Sequence, residues 1–398
     1  MENIYLDYQS AKPVDPRVVE EMMPYYTDKF GNPASLHNIG DEATDTLETA
    51  RNTIKDFINA SEDSKVIFTS SATESNNLAL IGTAMRYKNK GNHVIISEIE
   101  HISIRNIVKY LEREGFQVSK VPVDQYGIIR LEKLKNLINE KTILISISSA
   151  SNEIGSIQPF EEISTITKEN GILFHTDAVA SEAVLPIDVE KVPFDLVTFS
   201  SNDIYGPKGV AALYLRKGLR INPILIGGGQ ESGMRSGSHN LHGIVGFAKA
   251  AQIMKKEMES ETKRLSNYRD TLIREILEGI PKSYLNGHPT KRLAHNAHFR
   301  FDYIEGESLI LDLKEHKIAA ATGSACTSKT LEPSHTLISC GLLHEEAHGS
   351  LLLTLGRFTK EEEIDHLIEV LPQVIERLRK LSPLTPPELL KKYNEVKY

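Results

Sequence analysis

Short apolar runs alternate with amphipathic stretches from about residue 60 to residue 220. The runs at 66–69, 94–97, 143–148, 172–175, 196–200 and 210–215 are rich in Val, Ile and Leu and do not alternate in polarity. Strands buried on both faces read this way. Between them the spacing turns helical: Ile104, Ile107, Val108 and Leu111 fall on one helical face. Such alternation predicts an α/β fold, a mostly parallel sheet covered by helices.

Further along the chain the pattern changes. Residues 244–280 read as one long helical region that leaves the sheet. The remainder, 281–398, mixes strands such as 298–301 with helices and predicts a smaller α+β unit. Its last helix covers 361–381, and the stretch SPLTPPELL after it, with three prolines, reads as a tail. At 398 residues the chain exceeds what one hydrophobic core usually serves, which also predicts two domains. The expected division is a large domain at 16–258 and a small one built from 1–15 and 259–398.

A net charge of -8 argues against a basic face for nucleic acid. No apolar run approaches the roughly 18–20 residues of a membrane span. The opening MENIYLDYQSAKPVDP has neither the basic start nor the apolar stretch of a signal peptide. The expectation is a soluble, cytoplasmic protein without membrane or nucleic-acid partners. The two cysteines, Cys326 and Cys340, stand fourteen apart with no CxxC pair, so neither a zinc site nor a disulfide is expected.

Polar segments follow the predicted strands, at the edge where open α/β sheets bind ligands. They are Ser70–Asn77, including Ala72 and Thr73; Ser97–His101; Ala150–Gly155, including Asn152; His175–Ala178, including Asp177; and Ser200–Gly209, including Asp203. A phosphate suits the amides of a helix start at Ala72 and Thr73, although Ser and Thr there also serve as plain caps. His101 suits stacking on a planar ring, or simple capping. A glycine-rich stretch, Gly227–Ser238, permits close backbone approach. Cys326 falls in the small polar run TGSACTSK and reads as an accessible thiol. Cys340, in LISCGLL, reads as a small buried apolar residue.

The order and spacing of YLDY, FGNPAS, FTSSATESNN, SEIEH, SNEIG, HTDA, GGGQESGMRSG, GSACTS and TLGRFT resemble the IscS/NifS branch of cysteine desulfurases over residues 4–384. The resemblance implies fold-type I architecture and a homodimer. It implies pyridoxal phosphate linked to a lysine, L-cysteine as substrate, and a persulfide on Cys326 that passes to an IscU-type iron–sulfur scaffold. It places Ala72, Thr73 and Ser200 at the cofactor phosphate, with Ser238 reaching the neighbouring subunit's phosphate. It places His101 on the ring, Asn152 near the ring hydroxyl and Asp177 at the ring nitrogen.

The chain departs from that pattern where covalent chemistry begins. The family's SGHK reads Ser200-Ser201-Asn202-Asp203, so Asp203 stands in place of the lysine. Ala180 replaces a glutamine, and Leu352 replaces the arginine that clamps the substrate carboxylate. Lys12 stands where the family has threonine. It is expected either to pair with Asp203 or to be a solvated surface charge. Three readings follow. The first is a cluster-assembly partner in which Cys326 carries persulfide or ligates a shared [2Fe–2S] cluster, with free sulfide as one source. The second is an active desulfurase with non-covalent or Lys12-linked cofactor. The third is a structural or regulatory subunit.

Overall fold

The computed structural model describes residues 3–323 and 333–395. Seven strands form the central sheet: β1 (Lys65–Thr69), β2 (His93–Ser97), β3 (Gln117–Val121), β4 (Thr142–Ser146), β5 (Leu173–Asp177), β6 (Leu196–Ser200) and β7 (Ala211–Leu215). Their order is β1-β7-β6-β5-β4-β2-β3. Only β7 runs antiparallel to its neighbours. The Val/Ile/Leu runs are buried along their length, as in β2, β4 and β6. That is the burial a sheet covered on both faces requires.

Helices follow the strands as the spacing predicts. Helix α1 (Ala72–Tyr87) follows β1, and α2 (Ile102–Arg113) follows β2 with Ile104, Ile107, Val108 and Leu111 all buried. The long helix α3 (Leu241–Gly279) leaves the sheet. Beyond it, β8 (Ser283–Asn286), β9 (Asn296–Phe301) and β10 (Ser350–Thr354) form an antiparallel sheet with β9 in the centre. Helix α4 (Glu361–Leu381) has the expected bounds.

The expected tail is a correction: residues Pro387–Glu395 form a further helix, α5. Proline suits the first turn of a helix, where its missing N–H has no partner to lose. Leu389 is buried, and the Arg379 Nη1 donates to the Tyr393 hydroxyl at 2.6 Å. A strand also escaped the pattern. Edge strand β3 reads QVSKV, mixes exposed and buried positions, and offers no apolar run.

Strands β1, β2, β4, β5 and β6 share one direction, so their carboxyl ends lie along one edge of the sheet. Every polar segment singled out above except the glycine-rich stretch and the Cys326 run leaves from that edge.

Candidate active site

One cavity of about 280 Å³ collects these segments. Its lining includes Ala72, Thr73, His101, Asn152, Asp177, Ala180, Asn202, Asp203 and Leu352. Gln9 and Ser10 close it from the N-terminal segment, and Ala321–Gly323 from the small sheet's side. Leu352 and Ala321 exchange backbone hydrogen bonds of 2.7 and 3.2 Å, which fixes that wall.

Local structure explains each position. Ser71 caps α1 by accepting the Glu74 amide at 3.2 Å, which leaves Thr73 in the first turn facing the cavity. His101 caps α2, its Nδ1 accepting from the Ser103 amide at 3.2 Å. His101 thus caps the helix and also lines the cavity. Asp177 ends β5. Its Oδ2 accepts from the Asn76 amide at 2.7 Å and its Oδ1 from the Val179 backbone N–H at 3.0 Å. Burial raises its pKa above the usual carboxylate range.

Two residues expected at a phosphate, Ser200 in this chain and Ser238 toward the neighbouring subunit, are not among the described residues lining this cavity. The Ser200 hydroxyl donates to the Asp203 carboxylate, and its amide donates to Glu182 at 3.0 Å. Ser238 is exposed on the glycine-rich stretch, outside this chain's cavity. Cys326 lies outside the described residues. Cys340, expected to be buried, is a partly buried free thiol packed against the core, and burial pushes its pKa up to about 12.

Lys12 is buried, with a side chain 4% exposed. Its Nζ donates to the Asp203 carbonyl at 2.6 Å and stands 3.8 Å from the carboxylate Oδ1. The surface-charge alternative is therefore set aside. The hydrogen bond is to the carbonyl, and the charge pairing is looser. Burial lowers the Lys12 pKa, while Asp203, Glu182 and Glu261 oppose that shift. Burial raises the Asp203 pKa, and Lys12 opposes it. Lys12 does not open on the candidate cavity. It lines a separate one with Val14, Met22 and Pro207.

Three further carboxyls were missed in the sequence. Glu100 accepts from the Ser148 amide at 2.9 Å, and burial pushes it up to about 8. Glu153, buried beneath Gly323, is pushed up to about 7. Glu182 is fully buried, and burial together with Asp203 holds its pKa well above the usual range. The only signal was their place in the polar segments: Glu100 precedes His101, Glu153 follows Asn152, and Glu182 follows HTDA.

Pyridoxal phosphate is tested by this donor set. Asp177 is a buried carboxylate on the cavity wall whose hydrogen-bond donors are both neutral, which fits a protonated ring nitrogen. Asn202 Oδ1, also on the wall, is buried without a partner among the described residues and fits a ligand donor. The ring end fits. The covalent end does not, because the side chain at position 203 is a carboxylate. Among the described residues no group of three or more metal-ligating side chains occurs, and no helix is long and apolar enough to cross a membrane.

The profile of the family described as Aminotransferase class-V matches residues 4–367. "Cysteine desulfurase IscS 1" of Archaeoglobus fulgidus is 57% identical over 96% of this chain and 99% of its own length. "Cysteine desulfurase IscS" of Methanosarcina thermophila is 48% identical over 97% of this chain and 95% of its own. A solved structure titled "NIFS-LIKE PROTEIN" superposes with a TM-score of 0.88 at 34% identity, covering 94% of this chain and all of that one. The chain therefore belongs to the class-V aminotransferase family, within its IscS/NifS-type cysteine desulfurases.

Proposed function

We propose that this chain is a cysteine desulfurase of iron–sulfur cluster assembly that holds pyridoxal phosphate without a covalent bond. L-cysteine is the sulfur source, L-alanine the product, and Cys326 the persulfide carrier that serves an IscU-type scaffold. The protein acts as a cytoplasmic homodimer. The observation that carries the reading is the gathering of Asp177, His101, Asn152 and Thr73 around one cavity, with a carboxylate at position 203. When bound, the cofactor supplies an electron sink. Asp177 would hold its ring nitrogen protonated, His101 would cover the ring, and Asn152 would meet the ring hydroxyl. The phosphate would rest on Thr73 and the α1 amides, joined by Ser238 from the second subunit. Ser200 contributes indirectly, since its hydroxyl is engaged by Asp203.

A second reading omits turnover. Cys326 then carries persulfide made elsewhere, or ligates a [2Fe–2S] cluster shared with the scaffold. The specific observations in its favour are Asp203 and Leu352, which remove the covalent anchor and leave no guanidinium for a substrate carboxylate. The relatives' names, cysteine desulfurase in both, speak for turnover. Against a link through Lys12 stands that its amine is engaged by the Asp203 carbonyl at 2.6 Å and that Lys12 is not among the described residues lining the candidate cavity.

The test combines an absorption spectrum with alanine release. Purified protein is incubated with pyridoxal phosphate and L-cysteine, as wild type and as Cys326→Ser. Alanine release without a covalent cofactor band supports the first reading. No alanine, but Cys326-dependent cluster assembly on a scaffold, supports the second. Cluster assembly indifferent to Cys326→Ser sinks both and leaves a structural or regulatory subunit.

A further inference from the structure

The described residues lining the cavity include three carboxyl groups, Glu153, Asp177 and Asp203, and one imidazole, His101, but no lysine or arginine. Among the described residues the cation paired with Asp203 is Lys12, which lines a different cavity. Its short contact goes to the Asp203 carbonyl at 2.6 Å, while the carboxylate Oδ1 is 3.8 Å away. Burial, and then the charge of this same carboxylate, raise the pKa of Glu182 and Asp177, so neither of them compensates it. Lys12 also answers to Glu182 and Glu261, so it does not belong to Asp203 alone. A buried, partly compensated carboxylate on a cavity wall favours a ligand that brings a positive group to it.

The chemistry of the cofactor's side arm then decides between its two forms. Asp177 and Asp203 line the same cavity, so with the ring nitrogen held by Asp177 the side arm would have Asp203 as a carboxylate partner. An aldehyde is uncharged and gives a carboxylate neither a proton nor a charge. A primary ammonium gives a charge-assisted N–H···O bond, roughly twice as strong as a neutral one. We infer that this cavity takes the amine form, pyridoxamine phosphate, in preference to forms with an uncharged side arm, with Asp203 as the partner of the ammonium. The inference rests on the cofactor pocket of the proposed function and adds that turnover depends on aldehyde supplied in excess.

Calorimetric titration of the cofactor-free protein tests this without any turnover. The ligands are pyridoxamine phosphate and 4′-deoxypyridoxine phosphate, which keeps the ring and phosphate but ends its side arm in a neutral methyl. The wild type is expected to bind the amine at least tenfold more tightly. Asp203→Asn is expected to bring the two affinities within about twofold by weakening the amine alone. Since Asp203→Asn leaves the Lys12 ammonium short of an anion, Lys12→Met/Asp203→Asn is titrated beside it, and thermal unfolding checks that both variants fold. Equal affinities in the wild type overturn the inference and leave the pocket intact, as does a preference that survives both variants. Failure of the wild type to bind either ligand overturns the pocket itself and the inference with it.

Discussion

Replacing Lys12 by methionine removes the charge that makes a buried aspartate tolerable at position 203. Methionine matches the aliphatic stem in length, so the change isolates the ammonium. The wild-type amine contacts a buried carbonyl at 2.6 Å and lies 3.8 Å from a carboxylate whose side chain is 9% exposed. Breaking one partner out of a buried ion pair costs about 3–5 kcal/mol, because the remaining charge stays buried and uncompensated. Unfolding entropy of about 2.1 cal/mol/K per residue over 398 residues converts that cost into a loss of about 4–6 °C in melting temperature. The sign of the pH effect follows from Asp203. Burial already raises its pKa, and removing Lys12 raises it further. A carboxyl with a raised folded-state pKa penalises the fold above that pKa, and the penalty fades as pH falls and the group takes a proton. The deficit of Lys12→Met is therefore expected to be largest near pH 8 and smaller near pH 5. Urea unfolding at both pH values reads it, with Lys12→Met/Asp203→Asn as the double variant. The pair predicts a coupling energy of about 2 kcal/mol or more in the double-mutant cycle. A single-variant cost below about 1 kcal/mol, or strict additivity with Asp203→Asn, refutes the pairing.

Gly323→Ala drives a Cβ into Glu153 Oε1 and to 2.8 Å from His298 Cε1, both on buried side chains. It should cost about 1–3 kcal/mol by overpacking, read by urea unfolding, and should slow Cys326-dependent sulfur transfer. Leu352→Arg brings a guanidinium into a cavity lined by carboxyls. It should tighten L-cysteine binding by about tenfold through a bidentate carboxylate contact while leaving cysteamine, which has no carboxylate, unchanged in the same titration. Glu100, held up to about 8, makes the fold bind a proton that the unfolded chain releases near the ordinary value of 4.5. Stability should therefore fall as pH rises across that window, and Glu100→Gln should flatten the slope in unfolding measured from pH 5 to pH 8.

The parts of the fold legible in the sequence were those whose burial is complete. Strands β2, β4 and β6 are buried on both faces, so their apolar runs carry the information directly. Strand β3 lies at the sheet edge, pairs on one side only and keeps a polar sequence, so no run marks it. Helix α5 was hidden by its prolines, since Pro386 and Pro387 suit a tail as well as a first turn, and only packing against α4 separates the two. The site was legible as a set of segments leaving strands with a common direction. Its buried acids were not. Glu100, Glu153 and Glu182 take their environment from Ser148, Ser334 and Ser200, which are 48, 181 and 18 residues away.

Lys12 and Asp203 became legible as a pair because each departs from the family pattern in a way that only the other explains. A carboxylate at position 203 alone would keep Glu182 and Asp177 as neighbours and lose the ammonium that most opposes its burial. A lysine at position 12 alone would be buried beside Arg357 with its short contact to a carbonyl. Together they move the positive charge off the residues that line the candidate cavity, since Asp203 lines it and Lys12 does not. A relative with threonine at position 12 and lysine at position 203 carries one positive charge there, whereas Lys12 and the Asp203 carboxylate cancel, so the residue offered to a ligand at position 203 changes from cationic to anionic. That relocation connects the two properties on which the functional readings turn. The covalent anchor is gone, and the cavity it leaves is suited to an amine.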